Sequence, residues 1–213
     1  MGIVTGIRVS VASPRVWVSI CISVLLTGLV LLSGMDRPLP TLGWAAAFLF
    51  CVVQQDVARM RIPNAVTLPA FAIALANGAV QAGWSGVGSG LAGALLVFGV
   101  LFIPFALRWM GAGDVKALMV LGALWGPYRA VEILWWSLVW GGAIALLILV
   151  ARGGLKEMLG RWGHSLGLSL ATRRWTYLAP APEAAARKAL PFGVALALAV
   201  AALQLWGVPW VAV

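Results

Sequence analysis

The sequence predicts an all-α fold: a polytopic membrane helical bundle of about seven transmembrane helices. Three observations lead there. The 213-residue chain is 62% hydrophobic and only 10% charged, with a mean hydropathy of +1.01, whereas a soluble domain is about half apolar. The apolar residues gather into runs at roughly 16–33, 40–56, 65–82, 87–107, 114–127, 129–150 and 190–208, and helices of about 20 residues cross a hydrocarbon core. Between the runs no polar stretch is long enough to fold as a soluble domain. Hydrocarbon offers backbone groups no outside partner, so each span is expected to be helical.

Pro, Gly and charged residues mark the ends of the runs, at Asp36-Arg37-Pro38, Arg59 to Pro63, Gly83 to Gly86, Arg108 to Gly113, Gly126-Pro127, Arg152-Gly153-Gly154 and Pro180 to Pro191. The first run, from Val16, is long and lacks a small-residue cleavage site, so it reads as a retained anchor. Residues 1–39 form a cytoplasmic tail and extra anchor helix, and 40–213 form the main membrane domain. Cys21 and Cys51 lie in apolar runs without a C-x-x-C pairing, and they are expected to be buried small hydrophobes. Gly86, Gly90 and Ala94 make a small-residue face suited to close helix packing. Pro104 is expected to kink its span.

The span at 114–127 is short. Val115 to Gly126 covers about 18 Å of helix, against about 30 Å of hydrocarbon. That shortfall would set Asp114 below the lipid surface, in a hydrated cavity, unless the bilayer thins or residues from Tyr128 to Glu132 are immersed. The longest polar stretch, 152–189, places Leu155, Met158, Leu159, Trp162 and Leu166 at helical spacing among Lys156, Glu157 and Arg161. This is the pattern of an amphipathic helix lying in the interface. Trp175 and Tyr177 suit the same depth, and Ala179-Pro180-Ala181-Pro182 is a stiff linker.

The net charge of +9 would suggest nucleic acid in a soluble protein, but here it marks orientation and anionic lipid contact. With the N-terminus in the cytoplasm, the inner segments carry Arg8, Arg15, Arg59, Arg61, Arg108, Lys116, Arg152, Lys156, Arg161, Arg173, Arg174, Arg187 and Lys188, and the outer side only Arg37 and Arg129. The positive-inside rule selects this topology. It sets Asp56, at the end of the second span, and Asp114, at the start of the fifth, at the same cytoplasmic boundary.

Those two carboxylates stand out in a chain with six acidic residues. An acid in or beside a membrane span is costly and points to function. Two aspartates at one depth are the minimum apparatus of an aspartic protease: one takes a proton from water while the other polarises the scissile carbonyl, and the pair shares a proton. Gly111 and Gly113 ahead of Asp114 would leave room for a peptide to approach. The structural alternative for either acid is an interfacial partner for a nearby arginine. No metal or cofactor is called for.

The pattern Asp56-x5-Ile62-Pro63-Asn64, followed by Gly111-x-Gly113-Asp114-x-Lys116 and by Leu190-Pro191-Phe192-Gly193, resembles the type IV prepilin peptidases over about residues 40–208. The resemblance implies a membrane aspartic endopeptidase of the bacterial inner membrane. Asp56 and Asp114 would be its catalytic pair, and it would cleave leader peptides from prepilins or pseudopilins at the cytoplasmic face. Ile62, Pro63, Asn64, Gly111, Gly113 and Lys116 would support the motif or bind substrate. The large bifunctional members carry a cytoplasmic Cys-x-x-Cys insert and N-methylate the product. This chain has no such insert, which resembles the small subtype serving tight-adherence (Flp-type) pili and leaves methyl transfer without its apparatus.

Lys116 is two residues from Asp114, so the two do not share a helical face. It could snorkel to head groups or hold an acidic substrate residue. Pro63 would start a helix with Asn64 in its first turn, Glu132 would make a structural hydrogen bond away from both aspartates, and His164 lies outside the chemistry. An ion- or proton-coupled transporter and a catalytically inactive scaffold are the competing readings. The absence of an internal repeat and of acids at mid-membrane weighs against the transporter.

Overall fold

The computed structural model describes residues 14–33, 39–174, 178 and 191–206. The expectations for Asp36 to Pro38, Trp175, Tyr177 and the Ala179–Pro182 linker lie outside them. Among the described residues the structure is all-helical: α1 (Pro14–Ser33), α2 (Leu39–Arg59), α3 (Asn64–Ala106), α4 (Ala112–Ala151), α5 (Leu155–Thr172) and α6 (Phe192–Trp206). Residues 41–59 of α2, and α3 and α4, are long and apolar enough to cross a membrane; α1 and α6 hold shorter apolar helices.

The two longest helices double back. α3 breaks at Ala82 and at Gly83, whose φ is 59°, and its arms meet where a Cβ on Gly90 would lie 3.1 Å from Leu75 Cδ2. α4 breaks at Gly126, with φ 78°, and Leu138 on its second arm returns to the cavity that Asp114 lines. Glycine alone adopts such left-handed conformations without strain. The expected spans 65–82 and 87–107 are thus the arms of α3, and 114–127 and 129–150 those of α4. Pro104 lies in the last turn of α3, and the non-helical residues of that element are Ala82 and Gly83.

The hairpins α3 and α4 pack most extensively against each other. Gly93 and Gly122 meet so closely that a Cβ on Gly93 would collide with the Gly122 carbonyl. The expected small-residue face is present, with Gly90 against Ala123 and Ala74, Ala94 and Ala123 in one buried cluster. Between bilayer spans, close backbone approach is what small residues supply. α6 sits among α1, α2 and α4, and Leu196 and Val200 are wholly buried there.

α1 packs on α2 and α6 and buries Val30, Ser19 and Ser23. The two hydroxyls donate back to the carbonyls of Val16 and Ser19 at 2.8 and 2.7 Å, which satisfies them inside an apolar contact. Cys21 and Cys51, expected to be buried, are free and exposed on the bundle's outside. A lipid-facing surface is as apolar as a core, so composition alone does not tell the two apart.

Candidate active site

Two short loops form one end of the bundle, and each begins with a non-glycine residue in the left-handed region. Met60 (φ 50°) closes α2 and Arg108 (φ 58°) follows α3. Such a residue is a common way for a helix to stop and turn. In the first loop Pro63 is the N-cap of α3, with extended backbone, so Asn64 is the first helical residue as expected. In the second, Gly111 caps α4, which places Asp114 in that helix's first turn.

The loops are tied together by their motif residues. Lys116 Nζ donates to Asn64 Oδ1 at 2.8 Å, so Lys116 bridges to the other motif. Ile62, 7% exposed, packs onto Gly113, where a Cβ would lie 3.1 Å from Ile62 Cβ. A Cβ on Gly111 would lie 3.0 Å from Asp114 Oδ2. A side chain at either glycine would press on Ile62 or on the Asp114 carboxylate, and both glycines line the cavity that holds the two acids.

Asp56 and Asp114 line one cavity of about 1000 Å³, together with Asn64, Pro104, Trp109 and Leu138. Asp56 is 5% exposed. It is held by a residue whose contact the sequence did not reveal: Gly193 N donates to Asp56 Oδ2 at 2.6 Å. Gly193 is the second residue of α6, so the carboxylate takes one of the N–H groups that have no partner within that helix. A Cβ on Gly193 would lie 3.1 Å from Val52 Cγ1 and 3.2 Å from Asp56 Oδ2, so any side chain there would push one of them aside by a few tenths of an ångström. The Pro191-Phe192-Gly193 string was visible in the sequence, but its proximity to Asp56, 137 positions away, was not.

Glu132 accepts from Arg129 at 2.8 Å, a local pair away from the cavity, and His164 is exposed on α5. Among the described residues no cluster of His, Cys, Asp and Glu could hold a metal ion. The arrangement can therefore do acid–base chemistry with two carboxyls, in a chamber large enough for a peptide.

Residues 43–146 match the type IV leader peptidase family, an interval that contains both aspartates but not α6. No curated protein and no solved structure matches the chain. Residues 43–146, just under half of the chain, are thus similar to the type IV leader peptidase family, and with two carboxyls converging on one chamber of an apolar helical bundle they support a leader-peptidase-like membrane protease.

Proposed function

We propose that the protein is an aspartic endopeptidase that removes the leader peptide of type IV prepilins or pseudopilins at the cytoplasmic face of the bacterial inner membrane. Asp56 and Asp114 are its catalytic pair. The observation that carries this reading is their convergence, from α2 and α4, on one cavity.

The chemistry follows from a pair that holds one proton between two carboxyls. The ionised carboxylate takes a proton from a water molecule, and the resulting hydroxide adds to the scissile carbonyl carbon. The protonated carboxyl donates a hydrogen bond to the carbonyl oxygen as charge develops there. When the tetrahedral intermediate collapses, the C–N bond breaks and a carboxyl returns a proton to the leaving amine. Gly193 fixes the Asp56 carboxylate, while the Ile62–Gly113 and Asn64–Lys116 contacts fix the two loops against each other. Positioning of this kind lowers the entropic part of the barrier.

The lack of a Cys-x-x-Cys insert supports a peptidase without N-methyl transfer, of the small kind that serves tight-adherence pili. The test is purified protein in liposomes with a prepilin carrying a basic leader and an apolar helix. The expected result is release of the leader, undiminished by EDTA and leaving an unmethylated N-terminus. An uncut prepilin would contradict the reading.

A further inference from the structure

The end of the bundle opposite the aspartates holds a polar cavity of about 340 Å³. Four helical arms run to it from the chamber: α2 from Asp56 back to Thr41, α3 from Asn64 to Gln81, α4 from Asp114 to Trp125, and α6 from Gly193 to Gln204. Between Asp56 and Thr41 lies about 22 Å of helix, so this cavity is separate from the catalytic one. Polar and apolar atoms share its wall, with Thr41, Gln81, Arg129 and Gln204 beside Leu42 and Trp125. A polar wall inside an apolar bundle is costly unless an occupant bonds to it.

The wall offers donors and a balanced charge. Thr41, 6% exposed, accepts from Asn77 Nδ2 at 3.2 Å and from Gln81 Nε2 at 2.7 Å. Its lone pairs are engaged, and its own proton is left to donate. Arg129 Nη1 donates to Glu132 Oε2 at 2.8 Å, and a guanidinium carries five N–H donors. Because Glu132 offsets the charge of Arg129, a bare anion gains little here. A ligand with both signs can set its anion on Arg129 and its cation beside Glu132. Trp84 and Tyr128, both exposed, stand at the turns of α3 and α4 on this same end. Exposed aromatic side chains of that kind mark the level of lipid head groups.

We propose that this cavity is a phospholipid site that takes a zwitterionic phosphoethanolamine head group, with its phosphate on Arg129 and Thr41 and its ammonium at Glu132. A phosphodiester matches the fork of a guanidinium, and the volume is that of a small-ligand pocket. The acyl chains would lie along the outside of α4, where Val131 and Trp135 are exposed. The inference is independent of the leader-peptidase reading. Inorganic phosphate and water alone are the alternative occupants.

The test is native mass spectrometry of the purified protein with phosphatidylethanolamine, phosphatidylglycerol or inorganic phosphate. The expected result is one bound phosphatidylethanolamine, retained several-fold above phosphatidylglycerol. Arg129→Gln should lower that retention several-fold, and Glu132→Gln should keep the lipid but lose the preference. Arg152→Gln, at the far end of α4, should retain the parental level. Circular dichroism checks that each variant is folded. Equal retention of phosphatidylglycerol by the parent, or a phosphate adduct in place of lipid, would overturn the zwitterionic head group. Retention unchanged by Arg129→Gln, or lowered equally by Arg152→Gln, would overturn the site.

Discussion

At the scale of single residues, the site depends on contacts between positions far apart in the chain. The 2.6 Å bond from Gly193 to Asp56 makes the start of α6 part of the site, although α6 lies outside the matched interval. Gly193→Ala would press a methyl group against Val52 and Asp56 and displace the carboxylate. A misplacement of this kind lowers catalysis about 10–100-fold, so the expected outcome is a fall in kcat with KM and protein abundance little changed, measured by prepilin cleavage. The Lys116–Asn64 bond is exposed and contributes about 1 kcal/mol. Lys116→Met and Asn64→Ala should each lower thermal stability by about that amount, and the double variant should be no worse than either single change. The two aspartates and the two motifs were legible in the sequence because acids are so scarce in it. Their partners were not, since spacing along the chain does not encode which helix end arrives beside which carboxylate.

At the scale of elements, the runs and their breaks were legible from hydropathy and from Pro and Gly. Gly83 and Gly126 reverse α3 and α4 where punctuation was visible. Which face of each run packs inward was not legible, as Cys21 and Cys51 demonstrate, because all sides of a span are apolar. The α3–α4 contact offers a direct check. Gly93→Leu would collide with the Gly122 backbone, whereas Gly99 has nothing within 4 Å. Overpacking a tight contact costs about 1–3 kcal/mol, so Gly93→Leu should lower the melting temperature in detergent and Gly99→Leu should leave it near that of the parent. Among the described residues α5 packs at most lightly on the other helices, with Leu159, Trp162 and Leu166 exposed; a helix resting in the membrane interface would present such a surface. A fluorophore on Leu166→Cys, in a protein with Cys21 and Cys51 replaced by Ala, should be quenched by lipid-borne quenchers at head-group depth. Quenching by aqueous agents alone would make α5 a solvated helix.

At the scale of the whole molecule, charge and chemistry converge on one end. Arg61 and Lys116 line the same chamber as the two aspartates, on the side that the positive-inside rule assigns to the cytoplasm. A cysteine at Arg173 should therefore react only with reagents admitted to the cytoplasmic side; labelling from outside alone would invert the topology. The proposed dyad depends on the whole fold, because α2 brings one carboxyl to the chamber and the α4 hairpin the other. Paired catalytic groups act as a unit, so losing either member costs nearly as much as losing both. Asparagine keeps the size of aspartate but neither gives up nor accepts the proton. The most direct measurement is the fraction of prepilin processed in membranes carrying Asp56→Asn or Asp114→Asn, with Glu132→Gln and His164→Asn as controls. The expected result is no processing by either Asp variant, at parental abundance, and near-parental processing by both controls. Full processing by either Asp variant would contradict the catalytic pair.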